Sequence, residues 1–299
     1  MRDSYQLIQR PPRPIPSAIP VEEEIFAIGD VHGRAGALRS CLSDIASQPR
    51  TKGVRRTVIF LGDILDRGPA SLEAVDLAVR ARELAKADVT HLLPGNHELM
   101  YADAVAGAPS LWLMNGGIDV MDEVDRDWRD LPWADAMRAV EARMPSGFTD
   151  IIRGAPSHFR IGDILFVHAG LDPCSAPDIH LDRHRAHADN DLHWAWIRRS
   201  FLEWSRGWTW DPTSNQYGNG DALVVHGHSP AITRPMSAGA SSLAACDVVD
   251  PCRRVCLDAG SARLDQIAWA HFIRVEATTM MQISAAAVIP QVDPSDLFL

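Results

Sequence analysis

Nothing in the 299-residue chain is apolar for long enough to span a bilayer, and its opening stretch, MRDSYQLIQRPP, lacks the apolar core of a secretory signal. The expectation is a cytoplasmic protein with no membrane partner. Basic residues are outnumbered, with 29 Lys and Arg against 39 Asp and Glu and a formal charge of -10. Affinity for a phosphate backbone needs a basic face, so a general nucleic-acid binder is excluded. Cysteine is scarce as well. Cys41, Cys174, Cys246, Cys252 and Cys256 form an odd set without C-x-x-C spacing. Neither a disulfide framework nor a structural zinc site is expected, and free thiols are.

What is present is an ordinary globular composition, 46% hydrophobic and 23% charged. The length is near the upper limit for one hydrophobic core, so one large domain is expected and two remain open. Residues 1–20 contain RPPRPIP and five prolines and read as a flexible extended arm. Residues 21–284 read as the domain, with residues 99–157 and 171–221 as helical or irregular insertions around a site. Residues 285–299 read as a tail.

Five segments share one construction, in which an apolar strand-like run ends and oxygen or nitrogen donors follow at once. They are IFAIGDVHG (25–33), VIFLGDILDRG (58–68), THLLPGNHE (90–98), ILFVHAG (164–170) and LVVHGH (223–228). A strand closed by a tight glycine turn holds a side chain at the sheet edge, so five such ends can converge on one volume. The side chains delivered are Asp30, His32, Asp63, Asn96, His168 and His228. Asp30, Asp63 and Asn96 follow one another at a single βα interval, which puts them on one edge of a largely parallel sheet. Leu38, Leu42 and Ile45, then Leu72, Val75 and Val79, mark the intervening helices. Phe159 to Phe166 read as a hairpin turning at Gly162 and Asp163.

Taken singly, an Asp after glycine is a turn former and His168 a core histidine. Taken together, the six are hard-to-borderline ligands of the kind that hold two divalent metals. His180, His184, His187 and His193 partly share a helical spacing but have no thiolate or carboxylate context, so no third metal site is expected there. Trp194, Trp196, Trp204, Trp208 and Trp210 would serve either a substrate groove or burial.

The ordered set GDVHG, GDILDRG, GNHE, HAG and GH resembles the calcineurin-like metallophosphoesterases, and within them the bacterial and phage serine/threonine protein phosphatases. The resemblance implies an α/β fold of two packed, mainly mixed β-sheets flanked by helices in αββα layers. It implies two divalent ions, manganese first and iron or zinc as alternatives. Asp30 and His32 can grip one ion and Asn96, His168 and His228 the other, with Asp63 bridging. A water held between them deprotonates readily near neutral pH. His97 matches the family's general acid and Asp66 the carboxylate that orients it. Arg67 matches a phosphate clamp, and Arg198 in WIR a second, with Arg199 the alternative. His226 matches a supporting residue.

Two departures bear on this reading. LDAGSA puts Ala259 where relatives often have threonine, which leaves Asp258 outside the ligand set, and the S-A-P-N-Y-C segment of eukaryotic members is absent, so no regulatory subunit is expected. The expected partner is a phosphorylated protein or a small phosphoester. Complete DRG and GNHE motifs favour a protein phosphatase over dinucleoside tetraphosphate hydrolysis, whose enzymes typically carry A-R-G and G-N-H-D. A silent binding protein would have lost a ligand or the acid, and none is missing.

Overall fold

The computed structural model describes residues 5–183, 191–231, 246 and 249–288. Its first sheet begins with β1 (Tyr5–Gln9), β2 (Arg13–Ile15) and β3 (Glu23–Ile28). Helix α1 (Ala35–Ser47) returns the chain to β4 (Arg55–Phe60). Helices α2 (Ser71–Val79) and α3 (Ala81–Leu84) then lead to β5 (Val89–Leu92). Strands β3, β4 and β5 are parallel neighbours, as near-continuous apolar runs joined by helices require.

A helical cover follows, made of α4 (Asn96–Val105), α5 (Ser110–Trp112), α6 (Ile118–Val124), α7 (Trp133–Arg143) and α8 (Phe148–Gly154). The chain next enters a second sheet through the hairpin β6 (His158–Ile161) and β7 (Ile164–Val167). Short α9 (Pro177–Leu181) and α10 (Arg199–Glu203) and the small hairpin β8 (Thr209–Asp211) and β9 (Gln216–Gly218) precede β10 (Leu223–His226) and β11 (Arg254–Cys256). Finally β12 (Gln266–Val275) and β13 (Thr278–Val288) rejoin the first sheet.

The strand orders are β1-β13-β12-β3-β4-β5, with β2 also on β13, and β11-β10-β7-β6. Both sheets are mixed, because β12 is antiparallel to β3 and β6 antiparallel to β7. Period-two alternation builds the layers. Ile25, Ala27, Ile59 and Leu61 face Phe166, Leu223 and Val225 between the sheets. Phe26, Ile28, Val58 and Phe60 point the other way, under α1, α2 and the helical cover. Val167 and Val224 leave the second sheet on its outer side and meet Trp194, Ile197, Phe201 and Trp208. Of the two roles open to the tryptophans, Trp194 and Trp208 take burial, on turns and a hairpin edge rather than on a helix.

Two expectations at the chain ends are corrected. Residues 5–15 are not a flexible arm, since β1 runs antiparallel to β13 from Tyr5 opposite Val288 and β2 pairs with Thr279 to Met281. Pro14 is compatible with this because it sits on a short strand where a missing N–H costs little. For the same reason the tail cannot start at 285, as Ala285 to Val288 complete β13. His180 and His193 are buried rather than surrounded by solvent-facing charge, while His184 and His187 lie outside the described residues. Cys41, Cys174, Cys252 and Cys256 are free thiols. No helix among the described residues is long and apolar enough to cross a membrane.

One buried ion pair ties α1 to the sheet. Arg56, fully buried, donates from Nε to Glu24 at 2.8 Å, from Nη1 to Ile45 O at 2.8 Å and from Nη2 to Gln48 O and Pro49 O at 3.1 and 3.2 Å. It thereby satisfies carbonyls at the end of the helix, where a cation suits the dipole. Burial alone would raise the Glu24 carboxyl, but hydrogen bonds from His271 and Arg56 outweigh it and hold the group below its usual range. Its stabilising share is therefore complete above the unfolded carboxyl's pKa and is lost as pH falls through the lower folded value. Arg56→Met strands Glu24 and these carbonyls, so chemical denaturation at pH 7 is expected to read a loss of about 3–5 kcal/mol. An unchanged midpoint and slope would contradict this account of the pair.

Candidate metal centre

The strand ends meet as the repeated construction requires. Asp30 follows β3, Asp63 follows β4, Asn96 opens α4 after β5, His168 follows β7 and His228 follows β10, and all five are buried. Glycine lets the segments approach closely. A Cβ on Gly227 would lie 1.9 Å from Asp30 Oδ1, and one on Gly95 would lie 2.1 Å from Asp63 Oδ1. Five non-glycine residues here adopt left-handed φ angles, His32 (44°), Asp63 (53°), Asp66 (72°), Arg67 (66°) and His228 (66°). Such conformations cost of order 1–3 kcal/mol each and persist where surrounding contacts enforce them.

The hydrogen bonds fix which face of each ring is bare. A carbonyl can only accept, so His168 Nδ1 donates to Leu61 O (2.8 Å), His32 Nδ1 to Leu65 O (3.2 Å) and His228 Nε2 to Trp196 O (3.2 Å). When neutral, each ring presents its other nitrogen as a lone pair. His168 Nε2 faces Asn96 Oδ1 at 3.1 Å and Asp63 Oδ1 at 3.4 Å, and His228 Nδ1 faces the same Asn96 oxygen at 2.9 Å. On the other side, His32 Nε2 faces Asp63 Oδ2 at 3.5 Å. Asp63 thus turns one oxygen to each group, the disposition of a bridging carboxylate. Burial and the neighbouring His97 drive the His32 imidazole down to about 3, so it is neutral and able to ligate.

Charge points the same way. Asp30, Asp63, Asp66, Glu98 and Asp258 are all buried in this region. Burial, then Asp258 and Asp63, pushes the Asp30 carboxyl well up, and burial pushes that of Asp258 to about 6. A buried cluster of lone pairs and carboxylates fits divalent cations, which would offset its charge and satisfy its donors. Ligand atoms of His32, Asp63 and His97 lie within 4.8 Å of one another, as do those of Asp63, His168 and His228. Asp30 belongs to neither triad, and its oxygens accept the His228 N–H at 3.0 and 3.1 Å.

The model of the calcineurin-like phosphoesterases matches residues 24–273. The chain belongs to that family. Serine/threonine-protein phosphatase 1 of Salmonella typhimurium is 35% identical over 94 residues, 31% of this chain and 38% of that protein. A symmetrical bis(5'-nucleosyl)-tetraphosphatase of Methylococcus capsulatus is 32% identical over 149 residues, 50% of this chain and 44% of that one. The match spans less than half the length of either relative. A cold-active protein tyrosine phosphatase shares the fold at 18% identity, with a TM-score of 0.53 over 86% of this chain and 77% of the other.

In this calcineurin-like phosphoesterase, the remaining site residues stand beside the ligands. His97 Nδ1 lies 2.6 Å from Asp66 Oδ2, while its buried Nε2 has no hydrogen-bond partner among the described residues. Arg67 is exposed, with Nε donating to Asn115 O at 3.2 Å. Arg198 Nη1 donates to Ser229 Oγ at 3.2 Å, whereas Arg199 turns to Glu203 at 3.0 Å. Arg198 thus reaches the residue that follows His228. His226 is buried, 5.0 Å edge-on from Phe201, and takes no position between the ligands.

Sequence reasoning missed three supports. Trp112 Nε1 donates to both Asp66 oxygens at 3.0 Å, and Ser71 Oγ accepts the Asp66 N–H at 3.0 Å. Glu98 accepts the N–H groups of Asp63, Ile64 and Gly95 at 2.7, 2.7 and 2.8 Å, locking the turn that carries Asp63 to the start of α4. The final residue of GNHE carried a signal for Glu98, but a motif does not say which atom it holds.

Proposed function

We propose that the chain is a dinuclear, metal-dependent phosphomonoesterase acting on phosphoserine or phosphothreonine in proteins. The observation that carries this reading is the Asp66–His97 pair, 2.6 Å apart, at the edge of the donor cluster, with His97 also within reach of His32 and Asp63. When bound, divalent cations of the manganese, iron or zinc type supply Lewis-acid stabilisation of the phosphoryl charge and activation of a water. Arg67 and Arg198 grip phosphate oxygens, a task suited to their planar forks. Asp66 accepts a hydrogen bond from His97 Nδ1–H and so points the Nε2–H at the leaving oxygen, to which His97 delivers that proton. Trp112 holds Asp66 in that orientation.

A second reading, hydrolysis of dinucleoside tetraphosphates, is supported by the 32% identical tetraphosphatase relative. Steady-state assays with manganese on phosphoserine, phosphothreonine and phosphotyrosine peptides and on diadenosine tetraphosphate decide between them. The expected order puts phosphoserine and phosphothreonine peptides highest in kcat/KM. Diadenosine tetraphosphate in first place would transfer the assignment to the second reading.

A further inference from the structure

A polar groove of about 740 Å³ opens beside the metal centre, walled by Arg34 and Arg67 on one side and by residues of α6 and the turn after it on the other. It adjoins the site through Gly68, which lines it and packs so closely on the turn of His32 that a Cβ there would lie 1.9 Å from His32 O. Three acids line it, but two are engaged elsewhere. Glu123 accepts the N–H groups of Ser71 and Leu72 at 2.8 and 3.3 Å, closing the start of α2. Asp122 accepts the Trp128 indole N–H at 2.8 Å and the Arg129 guanidinium at 2.9 Å. Asp119 is the third, and Asp122 also lies within electrostatic reach of Arg126, so three carboxylates stand against the four guanidinium groups of Arg34, Arg67, Arg126 and Arg129 and leave the lining with a net positive charge. Arg34 spends Nε on Ser261 O at 2.9 Å, Arg67 spends Nε on Asn115 O at 3.2 Å, and Arg126 is exposed at the far wall.

A cationic wall on a chain of charge -10 marks a place for an anion next to the scissile phosphate. A nucleobase would need an open aromatic face, yet among the described residues no aromatic side chain lines the groove, and nearby Trp128 is covered by Arg129 at 4.6 Å. An extended peptide suits it better, since residues flanking the phosphorylated side chain would run along the wall. We propose that this groove is a substrate subsite for an aspartate or glutamate close to the phosphorylated residue, and that Arg126 selects for it. The inference rests on the phosphoprotein reading above.

The test compares three phosphoserine peptides, acidic on the N-terminal side, acidic on the C-terminal side, or flanked by alanine, with diadenosine tetraphosphate and an aryl phosphate alongside. The native protein is expected to prefer one acidic peptide by about tenfold in kcat/KM, the scale of one charge-assisted hydrogen bond. Arg126→Glu removes or inverts that preference and Arg126→Lys retains part of it, with aryl phosphate turnover reporting an intact centre. Calorimetric affinities of the His97→Asn protein for the same peptides follow the same order, a readout free of turnover. Equal rates on all three peptides, or a preference that survives Arg126→Glu, overturn the subsite and leave the phosphoprotein reading standing. Slow hydrolysis of every peptide beside rapid turnover of diadenosine tetraphosphate overturns both.

Discussion

Replacing His97 by asparagine is expected to lower kcat on a phosphoserine peptide by about 10²- to 10⁴-fold, the range of a positioned general acid. Asparagine keeps a polar group near Asp66 but cannot deliver a proton. The loss should depend on the leaving group. An alkoxide leaves poorly without a proton, whereas an aryl oxide needs one less, so the deficit on an aryl phosphate should be the smaller. Metal content matters equally to the interpretation, because His97 Nε2 also lies 4.0 Å from Asp63 Oδ2, within one ligand triad. The general-acid role requires a variant that binds as much metal as the native protein. Loss of an ion would make His97 a ligand, and equal deficits on both substrates would remove proton delivery from its role.

Asp63→Asn is expected to have an effect at least as large. Asp63 alone presents an oxygen to both ligand groups, 3.4 Å from His168 Nε2 and 3.5 Å from His32 Nε2. Asparagine retains the shape and one oxygen, but loses the charge and puts an N–H₂ where the second group needs an acceptor. Activity on every phosphoester should fall below detection. Loss of Glu98, by contrast, would act through the backbone, since its carboxylate holds the Asp63 turn by three N–H groups.

The convergence of the donor residues was legible because its signal is local. Each donor sits one or two residues beyond an apolar run, and period-two patterning names the strand that carries it. The different partners of Arg198 and Arg199 were less legible, since their order in the chain does not say that one turns to Ser229 and the other to Glu203. The supports were illegible for a related reason. Trp112 reaches Asp66 from 46 residues away, and nothing in WLMNGG distinguishes an indole packed for burial from one donating to a carboxylate. The N-terminal strands failed for another. Local composition there, rich in proline, argues for a free arm, while the partner that orders Tyr5 lies opposite at Val288, almost the whole chain away. Edge pairing over such a distance leaves no periodic mark in either segment.

The most direct test of the dinuclear centre is elemental analysis of protein reconstituted with manganese and freed of loosely bound metal. Two equivalents per chain are expected, falling to one or none in Asp63→Asn while circular dichroism remains native. A native chain that holds a single equivalent, or an Asp63→Asn protein that keeps both, would contradict a centre bridged at Asp63.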